Sequence, residues 1–355
     1  MLTRIQKLFV TAVAVASALV VIVAGAVAWF GLRPIPITNT PVAFEVRSGE
    51  HLRSVVKQMV EAGLDVPAWE LELFARLTRQ AGHIKVGMYE VAAPIAPFDL
   101  FGKLTRGEFA MAEMTFVEGW TFRQIRGALD EFPGVRHDST ALTDDEIMQR
   151  VGAEPGTHPE GRFFPDTYRF AKGSSDLQIL RASYRAMAQH LEKVWATRPA
   201  DSPLATPYEA LILASIVEKE TGLSADREMI AGVFTNRLRK RMLLQTDPTV
   251  IYGLGATFDG NLRKRDLLTD GPYNTYTRRG LPPTPIAMPG LASLKAAVNP
   301  APTDALYFVA RGDGSSQFSA TITEHNRAVT QFQLGGHAPG KNVTKHAPAA
   351  KKAAK

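Results

Sequence analysis

The chain has 355 residues, no cysteine and a formal net charge of +6. Zero cysteine excludes disulfides and thiolate chemistry, while 45% hydrophobic and 21% charged residues describe a globular chain long enough for two domains and appendages. The positive excess sits in the termini, with Arg4, Lys7 and Arg33 at one end and Lys341, Lys345, Lys351, Lys352 and Lys355 at the other, so the slightly acidic body is no nucleic-acid surface.

Residues 8–32 carry no charge and are almost wholly apolar. That length spans a bilayer core of roughly 30 Å. Arg4 and Lys7 ahead of it place residues 1–7 in the cytoplasm and the rest outside. A cleaved signal peptide, cut near Ala24-Gly25-Ala26, is the alternative. Residues 42–110 read as a small α/β module. Phe44-Glu-Val46 alternates as a strand, and Leu52, Val55, Val56 and Met59 share a helix face. Trp69 to Leu77 is a second helix, and Ile84 to Val91 a returning strand. Strand, two helices, strand resembles a LysM module in pattern; the plain reading is a spacer.

Residues 111–333 read as a mixed α+β domain, so the fold class is α+β. Its start echoes the module: Phe44 to Val55 lines up with Met114 to Ile125, each a strand, a glycine turn and a helix. Thr121 caps the helix that carries Phe122, Ile125 and Leu129. Thr143-Asp-Asp-Glu146 starts another. Pro159 to Phe170 is too rich in Gly, Pro and aromatics for a helix and forms an extended wall. A long helix follows from about Leu177 to Trp195. Thr206-Pro207-Tyr208-Glu209 is a capping box ahead of an apolar run, with Gly222 as a left-handed stop. Ser224-Ala-Asp-Arg227 caps the next helix, and Asp247 caps the segment from Pro248 to Gly253. Gly280 to Gly290 is a proline-rich loop. Leu291 to Val298 is a helix, Asp304 to Ala310 a strand, Gly312-Asp-Gly314 a turn into Gln317-Phe-Ser-Ala, and Thr323 to Phe332 the last helix. Residues 334–355 form a basic Ala/Lys-rich tail, expected to be disordered.

Glu218 sits near the C-terminal end of the 207–222 helix. The helix dipole and a partly apolar face would both raise its pKa, which suits a general acid. An ordinary solvated glutamate beside Lys219 and Glu220 is the alternative, and this helix alone does not separate the two. Glu220 lies about 200° further round, so it does not share the face of Glu218. No metal spacing or phosphate loop occurs, so no metal or cofactor is expected.

The blocks Glu160-Gly161, Phe164-Pro-Asp-Thr-Tyr168, Ala214-Ser-Ile-Val-Glu218-Lys-Glu220-Thr221, Val233 to Leu238, Leu244 to Gly253, Tyr273-Asn-Thr-Tyr276, Gly280-Leu-Pro-Pro283, Ile286-Ala, Pro289-Gly290 and Leu306 to Ala310 resemble the YceG-like family, the endolytic murein transglycosylases. They run in order from about Phe44 to Phe332. Pro285 before Ile286 and the Lys/Ala tail depart from the pattern. The resemblance implies cleavage within peptidoglycan glycan strands, between N-acetylmuramic acid and N-acetylglucosamine, leaving a 1,6-anhydro end. It implies that Glu218 is the catalytic acid, and the single membrane anchor fits it. One carboxyl suffices there, because the nucleophile is the substrate's own C6 hydroxyl. A hydrolytic glycosidase would need two.

Gln245, Asp247, Tyr273, Asn274 and Tyr276 have the composition of a sugar-binding wall, with Asp166 and Tyr168 as weaker candidates. Glu220 is read as structural, for example paired with Arg237. Two other functions stay open: a glycan-binding scaffold that recruits wall-synthesis enzymes, and a muramidase using Asp247 or Glu220 as its second carboxylate. The partners expected are glycan strands, the membrane through the N-terminal helix, and peptidoglycan polymerases, beside which such an enzyme would set chain length.

Overall fold

The computed structural model describes residues 4–38 and 40–334; the basic tail expected from 334 lies, apart from its first residue, outside them. The chain divides into two units. The first holds the residues up to Glu113 together with Gly134–Arg136 and Arg169–Ser174; the second holds the rest.

The first unit opens with α1 (Arg4–Leu32), whose stretch Gln6–Leu32 is long and apolar enough to cross a membrane. Then come β1 (Val42–Val46), α2 (Leu52–Glu61), α3 (Ala68–Leu77), β2 (Gly87–Val91) and α4 (Pro97–Arg106). β1 and β2 pair antiparallel, Val42 opposite Val91 and Val46 opposite Gly87. The expected strand, helix, helix, strand order is therefore present. α4 went unpredicted, although Pro97 at its first turn and Gly107 in the left-handed region after it are ordinary start and stop signals. It supplies Leu100, Phe101 and Leu104 to the core beside Val55, Met59, Leu71 and Phe74. Val27 and Phe30 of α1 pack against this same core, with the Phe30 and Phe74 rings 5.6 Å apart.

The next elements are β3 (Met111–Thr115), α5 (Phe122–Glu131), β4 (Val135–Arg136), α6 (Asp144–Val151), β5 (Thr167–Ala171), β6 (Ser174–Ser175) and α7 (Asp176–Trp195). β3 pairs with β5 and β4 with β6, so each sheet has two strands. α5 and α6 begin with full capping boxes on Thr121 and Thr143. The faint internal repeat holds at its turns: Gly49 and Gly119 both adopt left-handed backbone, φ 78° and 79°.

The second unit is built around α8 (Pro207–Glu220), whose residues Ala210 to Val217 are all buried. A helix apolar on every side must be enclosed on every side. Around it lie α7, α9 (Arg227–Arg239), α10 (Asp247–Leu254) and, after the short α11 (Lys264–Leu268), α12 (Leu291–Val298). A hairpin of β7 (Tyr307–Ala310) and β8 (Ser316–Ser319) and the helix α13 (Ile322–Phe332) follow as the last elements of the described residues.

Four expected helix ends are corrected. Thr206 accepts from the Glu209 N–H, but Glu209 turns back to the N–H of Ala205, so the box is only half formed. α8 ends on extended Thr221 and not on a left-handed Gly222. Ser224 lies in a 3-10 turn ahead of α9, and Asp247 is the first residue of α10, preceded by Thr246.

Candidate active site

The last turn of α8 carries three charged residues, and each meets a different neighbour. The Gly290 N–H donates to Glu218 Oε2 at 3.0 Å, and the Arg227 guanidinium lies 4.0 Å from Oε1. Lys219 Nζ donates to the Gly119 carbonyl at 3.2 Å. Thr246 Oγ1 donates to Glu220 Oε2 at 2.6 Å. The two glutamates thus face different ways, as a step of two residues along a helix requires.

Glu218 is shielded, its side chain only 8% exposed. The segment Thr284–Gly290 reaches it because α8 holds that segment from below. Ser215 Oγ accepts the Ile286 N–H at 3.0 Å and donates to the Ile212 carbonyl. Pro285, the departure noted in the sequence, fits against Gly161, where a Cβ would strike its ring. Gly161 also needs its left-handed φ of 78°, so the glycine serves conformation and space together.

A cleft of about 1670 Å³ runs past Thr121, Glu160, Lys219, Glu220, Asp247, Tyr252 and Tyr273, with Glu218 not among its lining residues. That exceeds the usual size of a small-molecule pocket and suits a polymer. Burial pushes the Glu220 carboxyl up to about 7, helped by the charge of Asp247 and opposed by the Thr246 hydrogen bond and Arg237. The expected Glu220–Arg237 pair does not form. Arg237 spends its guanidinium on the carbonyls of Leu306 and Leu244, at 2.7 and 2.6 Å, and acts on Glu220 only through its charge. Glu160 is likewise pushed up to about 7 by burial, although it accepts the Phe122 N–H and the Tyr252 hydroxyl, each at 3.0 Å.

The residues expected to form a sugar wall separate. Asp247 and Tyr273 line the cleft. The Tyr273 ring meets Tyr252 edge-on at 4.9 Å, making an aromatic wall beside Glu160. Tyr276 backs this wall by donating to Asp247 Oδ1 at 2.5 Å. Gln245 is exposed with a left-handed φ of 49°, a strained setting for a side chain. Asn274 is corrected: it is 5% exposed, and its amide donates to the carbonyls of Asp266, Leu267 and Thr269, so it staples the loop that presents Tyr273. Tyr168 also turns inward, donating to the Phe164 carbonyl, and Asp166 caps its own neighbour Thr167.

Sequence reasoning gave no role to Glu118, Glu160, Arg227, Tyr252 or Gly290. Glu160 and Gly290 lay in the quoted family blocks, and Glu118 in the turn Glu118-Gly119-Trp120. Their role depends on neighbours as far as 172 positions away, the separation of Glu118 and Gly290, which periodicity cannot register.

The YceG-like family model matches residues 44–331. A Bacillus subtilis protein named endolytic murein transglycosylase is 33% identical over 312 residues, covering 83% of this chain and 86% of that protein. A Streptococcus pneumoniae protein of the same name is 27% identical over 322 residues, covering 82% of this chain and 58% of its own length. A crystal structure of a YceG-like protein from Listeria monocytogenes superposes with a TM-score of 0.50 at 29% identity, covering 81% of this chain and 98% of that one. With matching blocks, fold and relatives running through both units, the chain belongs to the YceG-like family.

Proposed function

We propose that the chain is a membrane-anchored endolytic murein transglycosylase that cuts peptidoglycan glycan strands from within, with Glu218 as its acid and base. The observation that carries this reading is the setting of Glu218. It is a shielded carboxyl at the end of a buried helix, held by a backbone N–H, on the turn whose next two residues, Lys219 and Glu220, line a cleft of polymer size. The names of the relatives from Bacillus subtilis and Streptococcus pneumoniae support it.

In the mechanism, Glu218 gives its proton to the leaving glycosidic oxygen of N-acetylglucosamine. The muramic acid C6 hydroxyl then closes on C1 and returns a proton to Glu218, leaving a 1,6-anhydro end. Intramolecular attack benefits from high effective concentration, and no water-activating carboxylate is needed. Tyr273 and Tyr252 would stack on sugar rings, and Gln245 and Asp247 would bond hydroxyls. α1 would hold the enzyme in the cytoplasmic membrane with its catalytic unit outside, near new strands, where cleavage beside the polymerases would set glycan length.

One observation favours a hydrolytic second reading: Glu220 and Asp247 stand together in the cleft wall with a carboxyl that holds its proton to about pH 7. Purified peptidoglycan treated with the chain and analysed by mass spectrometry separates the readings. Anhydro ends are expected from the wild type and not from Glu218→Gln, which should lose activity by at least about a hundredfold while keeping its fold. Anhydro ends at the wild-type rate from Glu218→Gln would overturn the assignment. Reducing ends would support the muramidase, and binding without cleavage the scaffold.

A further inference from the structure

A second carboxylate stands near enough to Glu218 to feel its charge. It belongs to Glu118, a hundred residues earlier in the chain, in the turn between β3 and α5. The turn is fixed by the segment before α12: the Gly119 N–H donates to the Met288 carbonyl at 2.8 Å, and the Met288 N–H donates to the Trp120 carbonyl at 2.7 Å. Gly119 can make this turn because glycine tolerates its φ of 79°. The strapped turn lays the Glu118 carboxylate directly over Gly290, where any Cβ would collide with it. Gly290 is also the residue whose N–H holds Glu218. Two carboxylates from distant segments therefore meet at one glycine, and that glycine has the one side chain that lets both approach.

The other charged groups around them come from two helices. From α8 come Glu218 and Lys219, and the Lys219 ammonium is engaged with the Gly119 carbonyl. From α9 comes Arg227, 4.0 Å from Glu218 and with its buried Nε unpartnered. One guanidinium and one exposed ammonium stand near two carboxylates, and repulsion between the like charges favours a proton on one of them. The Glu118 carboxyl follows this logic: partial burial and then the charge of Glu218 raise it, and Arg227 opposes them. An acid catalyst must carry its proton at neutral pH, and Glu118 is the acidic neighbour whose charge couples to Glu218.

We propose that Glu118 is a positioning residue that shares a single proton with Glu218 across Gly290 and so keeps the acid loaded. This role rests on the transglycosylase reading above. The proton balance closes over the cycle. The pair begins with one proton; Glu218 passes it to O4 as the C1–O4 bond breaks. The C6 hydroxyl forms the C1–O6 bond, and its proton restores the pair to its starting state. No oxidant, metal or water is consumed. Glu118 is exposed as a residue, yet its carboxylate is seated on the backbone glycine that also binds the acid, which an ordinary surface glutamate has no reason to do.

The test uses the full chain in detergent with purified peptidoglycan, following anhydro ends across pH. For Glu118→Gln, kcat at neutral pH should fall about tenfold with KM little changed, and the alkaline limb of kcat should move down by about one pH unit. Glu118→Asp should return the limb toward its wild-type position, since it restores the charge, and thermal midpoints should match the wild type. An unchanged limb in Glu118→Gln, a loss confined to KM, or an aspartate variant no better than glutamine would overturn the role while leaving the transglycosylase reading intact. A wild-type chain that makes no anhydro ends would overturn both.

Discussion

At Glu160, burial and hydrogen bonding pull in opposite directions. The residue is 4% exposed, and its carboxyl is raised to about 7 despite two good donors. An acid whose folded pKa lies above its unfolded value binds more protons folded than unfolded between the two. Stability therefore falls as pH rises from about 4.5 to about 7, then levels off. Glu160→Gln should be more stable than the wild type at pH 8 by up to about 3 kcal/mol, with the gap closing toward pH 4. Urea unfolding at several pH values checks this; a constant difference would show that burial does not set the slope. The glutamate was visible in the sequence only as part of a family block. Its proton affinity comes from burial, and the two bonds that oppose it come from Tyr252 and Phe122, 92 and 38 positions away. Asn274 fails in the reverse direction. An amide between two tyrosines has sugar-site composition, and composition cannot tell an outward amide from one bonded to three loop carbonyls.

Among the elements, α8 was the most legible and its end the least. Its cap residue, its proline and its uninterrupted apolar run are all local signals, and helix and burial follow from them. Its stop depends on tertiary partners: the last-turn side chains are drawn to Gly290, Gly119 and Thr246, and the backbone leaves through extended Thr221. α11 is only five residues long, whereas α4 carries ordinary start and stop signals at Pro97 and Gly107 and still went unpredicted. Ser215 is the element's one buried hydroxyl that ties it to the segment Thr284–Gly290. Ser215→Ala would leave the Ile286 N–H unpaired in the core, which should cost about 1–3 kcal/mol. Denaturant unfolding measures the loss, and a change within error of zero would mean another acceptor takes over.

For the molecule as a whole, composition and hydropathy identified the apolar first helix and the α+β character, but not how the helix is joined on. α1 does not stop short of the fold. Phe30 rests on Phe74, and Gly31 lies so close to Phe98 that a Cβ there would collide. Phe30→Ala should cost about 1–2 kcal/mol, less than a fully buried phenylalanine, and should speed hydrogen exchange in Ala68–Leu77 and Pro97–Arg106. Unaltered protection in both helices would count against the contact. This joint has a mechanical meaning. Where α1 spans a bilayer, it serves as a bracket and not a leash: a change in the tilt of the span must turn the first unit with it. Replacing α1 by a lipid tail would keep the protein at the surface but free that unit to swing.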